Sequence, residues 1–136
     1  MNVLVLTEKP FAPAAVAGMQ QEIESAGHKF LLVEKYADVT EAKKAVADAD
    51  ALIVRSDKVT PELIDAAPNL KIVVRAGAGY DSIDTAYAKE KGIVVENTPG
   101  QNSNAVAELV FGMLVFTFRN FFNGKAGSEL KGKKLG

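Results

Sequence analysis

Three cationic side chains each follow an apolar segment of strand length. Lys9, Arg55 and Arg75 stand at or just past the ends of these segments. Guanidinium groups bind carboxylate and phosphate through paired hydrogen bonds, and an ammonium adds a point charge. If the three segments are neighbouring parallel strands, their carboxyl ends meet at one edge of the sheet. The spacing therefore predicts a site for a small anion at that edge.

The loop after Arg75 strengthens this interpretation without settling it. It reads Ala76–Gly77–Ala78–Gly79, and its glycines allow a sharp turn whose N–H groups form an anion-binding nest. Ser56, beside Arg55, adds a hydroxyl donor. The alternative is that both arginines pair with acidic residues on the loop rim, namely Asp57, Glu62 or Asp81. The residues alone leave both interpretations open.

Composition excludes several other kinds of site. The 136 residues carry 16 Lys and Arg, 17 Asp and Glu, one His and no Cys. We therefore expect no metal site, no disulfide framework and no nucleic-acid or membrane partner. Glu8 and Lys9 interrupt the apolar start, so no signal peptide is predicted. The longest uncharged apolar run, 109–118, is about half of a bilayer span. A cytoplasmic location is expected.

Five short apolar runs alternate with helical patterns over the first hundred residues. The runs are continuous rather than alternating, which is typical of strands buried on both faces of a parallel sheet. They predict a doubly wound α/β fold with a flavodoxin-like five-stranded parallel sheet of order 2-1-3-4-5. The runs are Val3–Leu6, Phe30–Val33, Leu52–Val54, Ile72–Val74 and Ile93–Val95.

The helices between these runs are predicted from the spacing of apolar residues and from residue types that favour helix ends. Apolar residues from Val16 to Ala26 and from Ala42 to Ala49 each follow one helix face. Thr60 and Pro61 predict the N-cap and first position of a third helix. A fourth is predicted to run from near Asp84 to Gly92.

The pattern changes after Pro99–Gly100. Residues 104–122 predict one helix that is apolar on nearly every side, with Asn102 and Ser103 as its caps. One small sheet cannot cover all of these sides. The rest must meet a structure outside this chain or a second copy of it, so a homodimer through 104–122 is expected. The predicted division is a substrate-binding domain at 1–101 and an interdomain helix and linker at 102–136.

The chain shows no complete catalytic apparatus. Gly77-x-Gly79 is followed by Ser82 instead of glycine, so the dinucleotide fingerprint fails, and no histidine lies at the ligand edge. A stand-alone flavodoxin-like binding or signalling module is an alternative. A phospho-receiver, however, needs an Asp where Arg55 stands, and Thr7–Phe11 is not an FMN phosphate loop.

The motifs together resemble the D-2-hydroxyacid dehydrogenases, and look most like the phosphoglycerate dehydrogenases among them. The resemblance runs along the whole chain. It is carried by Leu52–Ser56, Val73–Asp84, Glu96–Pro99, Asn102–Ser103 and Ala107–Leu109.

The resemblance implies an oxidoreductase that passes a hydride from C2 of an anionic 2-hydroxy acid to NAD. For a phosphoglycerate substrate it implies a role in serine biosynthesis. It also implies that Arg55, Ser56 and Arg75 hold the distal anion or phosphate, and that Ala76–Gly79 face the carboxylate. Asn102 and Ala78 would lie near the nicotinamide; at position 78 relatives often carry Thr.

The same resemblance places the NAD fingerprint and the catalytic Arg, Glu and His of the family downstream of Gly136. We therefore expect no catalytic residue within these residues and no NAD bound to the chain alone. The chain alone is expected to be inactive, forming no NADH from D-3-phosphoglycerate and NAD.

Overall fold

The computed structural model describes residues 1–135, and a five-stranded parallel sheet is its central element. The strand order is β2-β1-β3-β4-β5, so the predicted topology is confirmed. The strands are β1 (Asn2–Thr7), β2 (Lys29–Glu34), β3 (Ala51–Val54), β4 (Ile72–Arg75) and β5 (Val94–Asn97).

Four helices connect the strands, and their ends follow local signals. Asp38 and Asp84 each accept a hydrogen bond from a backbone N–H three residues later, at 2.9 Å, which fixes the starts of the second and fourth helices. Gly92, with φ +73°, follows the fourth helix as predicted. The helices are α1 (Pro13–Ser25), α2 (Val39–Val46), α3 (Pro61–Asp65) and α4 (Thr85–Glu90).

The hydrophobic core lies between one face of the sheet and α2, α3 and α4. Side chains from the central strands pack there against apolar residues of these helices. Because close packing leaves the strands little freedom, the core fixes where each strand ends. The largest fully buried residues of this core are Leu4, Leu6, Leu52, Val46, Val54, Val59 and Val73.

The strand register brings the predicted site segments to one edge. Val54 pairs with both Leu6 and Arg75, and Arg75 pairs with Asn97. The loops that leave β1, β3, β4 and β5 therefore start side by side at the carboxyl edge of the sheet.

Residues from Gly100 onward form a second compact unit, built on helix α5 (Ser103–Phe118). The helix ends at Phe118, so the predicted end at Phe122 is wrong. Asn120 to Phe122 form a 3₁₀ turn with φ between +53° and +57°, a left-handed backbone that asparagine tolerates better than most residues. In this turn the ring centroid of Phe121 lies 5.2 Å from that of Phe116, and the ring centroid of Phe122 lies 5.6 Å from it.

The start and surface of α5 also differ from expectation in part. Asn102 is the N-cap residue, but its side chain accepts no capping hydrogen bond, and Ser103 is already helical. Most apolar side chains of α5 are exposed, with Leu114 and Phe118 half-buried. No helix in the described part of the chain is both long enough and apolar enough to span a membrane.

Candidate anion site at the carboxyl edge of the sheet

Arg55 lies directly after β3 and reaches across to the loop between β1 and α1. Its Nη1 donates a hydrogen bond to the carbonyl oxygen of Pro10 at 3.1 Å, and its guanidinium lies 5.9 Å from the centroid of the Phe11 ring. These contacts leave the remaining N–H groups of an exposed guanidinium available to a ligand.

Arg75 is the last residue of β4, and its side chain folds back over the following loop. Its guanidinium occupies the space that a Cβ at position 77 would take, so only glycine fits there without moving it. Its Nε is buried and has no hydrogen-bond partner among residues 1–135. A buried N–H without an acceptor is costly, so this group is suited to an anionic ligand.

The predicted alternative, ion pairing of the two arginines on the loop rim, is wrong. The ion pairs found within the described residues join lysines to acidic residues and include neither arginine. Glu62 pairs with Lys43 at 3.1 Å, and Asp57 accepts from the backbone N–H of Arg55 instead of from its guanidinium.

The loop 76–79 is held in place by the neighbouring strands. The N–H of Ala76 donates to Val54, and the N–H of Gly77 donates to the carbonyl of Arg75, both at 2.8 Å. The side chain of Asn97 donates to the carbonyl of Ala78 at 2.6 Å. Within residues 1–135 the N–H groups of residues 78 and 79 have no hydrogen-bond acceptor. Gly77 and Gly79 are not left-handed, so Gly77 serves to give Arg75 room, not to allow a special turn.

The other predicted groups are Ser56, Lys9 and Asn102. Ser56 and Lys9 are exposed on loops that leave β3 and β1. Asn102 is exposed at the start of α5 and belongs to the second unit. The structure thus gathers Arg55, Arg75 and the loop 76–79 along one edge of the sheet.

A cleft of about 400 Å³ is lined by Ser56 but by neither Arg55 nor Arg75. Three carboxylates and a single lysine, Lys58, line it, so its charge disfavours an anion. The carboxylates are those of Glu8, Asp38 and Asp57.

The sequence did not predict the hydrogen bond between Asp57 and Tyr36 at this edge. Asp57 is 5% exposed and accepts a hydrogen bond from the Tyr36 hydroxyl at 2.9 Å. Burial, together with the hydrogen bond to Asp57 and its negative charge, raises the pKa of Tyr36 well above the ordinary value, so the hydroxyl stays a donor. No spacing signal marks this pair, because an acidic loop residue is ordinarily exposed.

Comparison with known proteins identifies relatives of this chain. The family model for the catalytic domain of D-isomer specific 2-hydroxyacid dehydrogenases matches residues 4–129. A hydroxypyruvate reductase of Thermotoga maritima is 41% identical over 119 residues, covering 77% of this chain and 39% of the relative. A D-3-phosphoglycerate dehydrogenase of Methanocaldococcus jannaschii is 42% identical over 110 residues, covering 71% of this chain and 21% of the relative.

Among solved structures, the NAD⁺-bound 3-phosphoglycerate dehydrogenase of Entamoeba histolytica superposes with a TM-score of 0.92. It is 50% identical, and the match covers 96% of this chain and 43% of that one. The chain thus spans less than half the length of each of these three proteins. Because the family model covers nearly all of the sequence, the chain belongs to the D-isomer specific 2-hydroxyacid dehydrogenases.

Proposed function

We propose that this chain is the substrate-binding part of an NAD-dependent D-2-hydroxyacid dehydrogenase that acts on D-3-phosphoglycerate. The observation that carries the proposal is Arg75, whose buried Nε has no hydrogen-bond partner within residues 1–135. The N–H groups of Ala78 and Gly79, in the loop that follows it, have none there either. The names of two relatives, both phosphoglycerate dehydrogenases, support the choice of substrate.

In this proposal the substrate lies along the edge formed by the loops after β3 and β4. Arg55, Ser56 and Arg75 bind the phosphate, while the backbone of the loop 76–79 faces the carboxylate. Two fixed donor groups that bind opposite ends of a small molecule also orient C2 between them. No residue of this chain is proposed to take part in the proton transfer.

In this proposal NAD is the hydride acceptor, and the loop 76–79 does not have the form of its pyrophosphate site. The loop 76–79 follows a strand, yet the next helix, α4, begins only at Thr85. A dinucleotide loop must lead directly into a helix N-terminus. We propose that Ala78 faces the nicotinamide and that residues outside this chain hold most of NAD.

We also propose that a second copy of the chain covers α5. Its exposed apolar side chains include Leu109 and Phe111, each 62% exposed, and Met113 at 58%. A contiguous apolar surface of this kind is uncommon on monomers and favours association. The helix bears a single acidic residue, Glu108, and no basic one, so little charge opposes self-pairing.

Calorimetric titration of the 136-residue chain tests the substrate. We expect D-3-phosphoglycerate to bind in the millimolar range, since the site is open to solvent. D-glycerate and inorganic phosphate should each bind roughly tenfold or more weaker, because each loses one charge-assisted contact. Equal affinities for D-glycerate and D-3-phosphoglycerate would contradict a phosphate site and favour an unphosphorylated substrate. Absence of binding by all three would contradict the proposal as a whole.

A further inference from the structure

Asp57 is a buried carboxylate that none of the proposed binding roles uses. It is 5% exposed and lies three residues after the end of β3. No ion pair within residues 1–135 includes it. Burying a charge without a cation is costly unless hydrogen bonds replace its hydration. Its surroundings should therefore contain donors aimed at both carboxylate oxygens.

Three donors meet at Asp57, and each comes from a different loop of the carboxyl edge. The N–H of Glu8, after β1, and the hydroxyl of Tyr36, after β2, donate to Oδ1 at 2.7 and 2.9 Å. The N–H of Arg55, directly after β3, donates to Oδ2 at 3.2 Å. Both carboxylate oxygens of Asp57 therefore act as hydrogen-bond acceptors. An asparagine at this position would replace one of them with an NH₂ group, which cannot accept from these donors.

The side chain of Arg55 depends on the same carboxylate by a second route. Its guanidinium is held by the carbonyl of Pro10 and the ring of Phe11. Both residues belong to the loop that begins at Glu8, whose N–H is bound to Asp57. Asp57 therefore restrains the backbone of Arg55 directly and its guanidinium through the loop between β1 and α1.

We propose that Asp57 is a positioning residue that holds Arg55 in place for the anion of the substrate. The inference rests on the proposed function, which makes Arg55 a substrate ligand. A cation fixed before binding loses less conformational freedom when the anion arrives. Asp57 thus contributes to affinity without touching the ligand.

A double-mutant cycle in the 136-residue chain tests this role. The variants are Asp57→Asn, Arg55→Ala and the double substitution, and the measurement is the Kd of D-3-phosphoglycerate by NMR titration. We expect Asp57→Asn to weaken binding about fivefold in the wild-type background and less than about twofold when Arg55 is already alanine. A residue that only stabilises the fold would show the same effect in both backgrounds, which would overturn the proposal.

A matched control and a milder variant accompany the cycle. Asp65 also accepts a tyrosine hydroxyl, that of Tyr87 at 2.8 Å, but lies on α3 away from the site. Asp65→Asn should therefore leave the Kd unchanged. Tyr36→Phe removes one donor and keeps the link to Arg55, so it should fold and weaken binding in the same direction by a smaller factor. If Asp57→Asn does not fold, an unchanged Kd in Tyr36→Phe overturns the proposal.

A ligand-free measurement separates this inference from the proposed function. Amide hydrogen exchange at Glu8 and Arg55, and the signal of the Arg55 side-chain Nε–H, report directly on the order of the two loops. We expect faster exchange and a shifted, narrower arginine signal in Asp57→Asn, with both unchanged in Asp65→Asn. If the wild-type chain binds no 2-hydroxy acid, these signals still decide whether Asp57 holds Arg55. Unchanged signals in Asp57→Asn overturn the proposal.

Discussion

Replacing Arg75 by alanine is expected to weaken D-3-phosphoglycerate binding by roughly 10- to 100-fold, which corresponds to about 1.5–3 kcal/mol for a charge-assisted contact. The reason is that the side chain is half-buried, with an Nε that has no acceptor among the described residues. In the proposed site the phosphate of the ligand supplies an acceptor for this guanidinium. The measurement is the Kd from NMR titration of the wild-type and variant chains.

Two further variants make the Arg75 prediction specific. Lys89→Ala removes an exposed cation from the last turn of α4, which lies away from the carboxyl edge, and should leave the Kd unchanged. Gly77→Ala keeps every charge but places a Cβ where the guanidinium lies, so the side chain must swing out. We expect an intermediate loss of affinity for Gly77→Ala. An Arg75→Ala chain that binds as tightly as the wild type would show that Arg75 is not a ligand.

The second large effect is expected on self-association through α5. Leu109 and Met113 lie one helical turn apart and are 62% and 58% exposed. Replacing both with glutamine keeps a good helix former at each position but removes the apolar surface. Burial of such a side chain contributes about 1.5–3 kcal/mol to the free energy of association. In a two-fold dimer each residue is buried once in each copy, so its contribution is made twice. We therefore expect the dimer Kd, measured by sedimentation, to rise by at least about 100-fold.

Phe118 is not a suitable target for this test. It is half-buried, and the ammonium of Lys133 lies 6.0 Å from its ring centroid, so its substitution would disturb the unit itself. Glu108→Gln is the matched control, because it changes a polar residue on the same helix and still accepts from Asn104. A wild-type chain that sediments as a monomer at about 50 μM would contradict the proposed dimer, since contacts of this kind form in that range.

The fold was predictable because its signals are local and mutually consistent. Continuous apolar runs mark strands that a parallel sheet buries, and handedness rules then leave few topologies.

The end of α5 was not predictable in this way. The apolar pattern continues through Phe121 and Phe122, but the left-handed backbone at Asn120 reverses the chain and places both rings against Phe116. Aromatic contact within the turn thus competes with helical continuation.

The candidate site was predictable in its residue types but not in its arrangement. An arginine at a strand end indicates an anion site, whatever rotamer it adopts. That Arg75 folds over Gly77 depends on the space left by one missing Cβ, which spacing does not encode. The part played by Asp57 depends on donors from three loops, at residues 8, 36 and 55, that are far apart along the chain.

The most direct test of the central claim is to map where D-3-phosphoglycerate binds on the chain, by following backbone and arginine side-chain NMR signals during a titration. The substrate-site account predicts that the largest shifts occur at Arg55, Ser56, Arg75 and the amides of residues 78 and 79. It also predicts little change on α3 and at Lys89 in the last turn of α4. Shifts confined to other surfaces, or no saturable shift at the carboxyl edge, would contradict the claim that this edge is the substrate site.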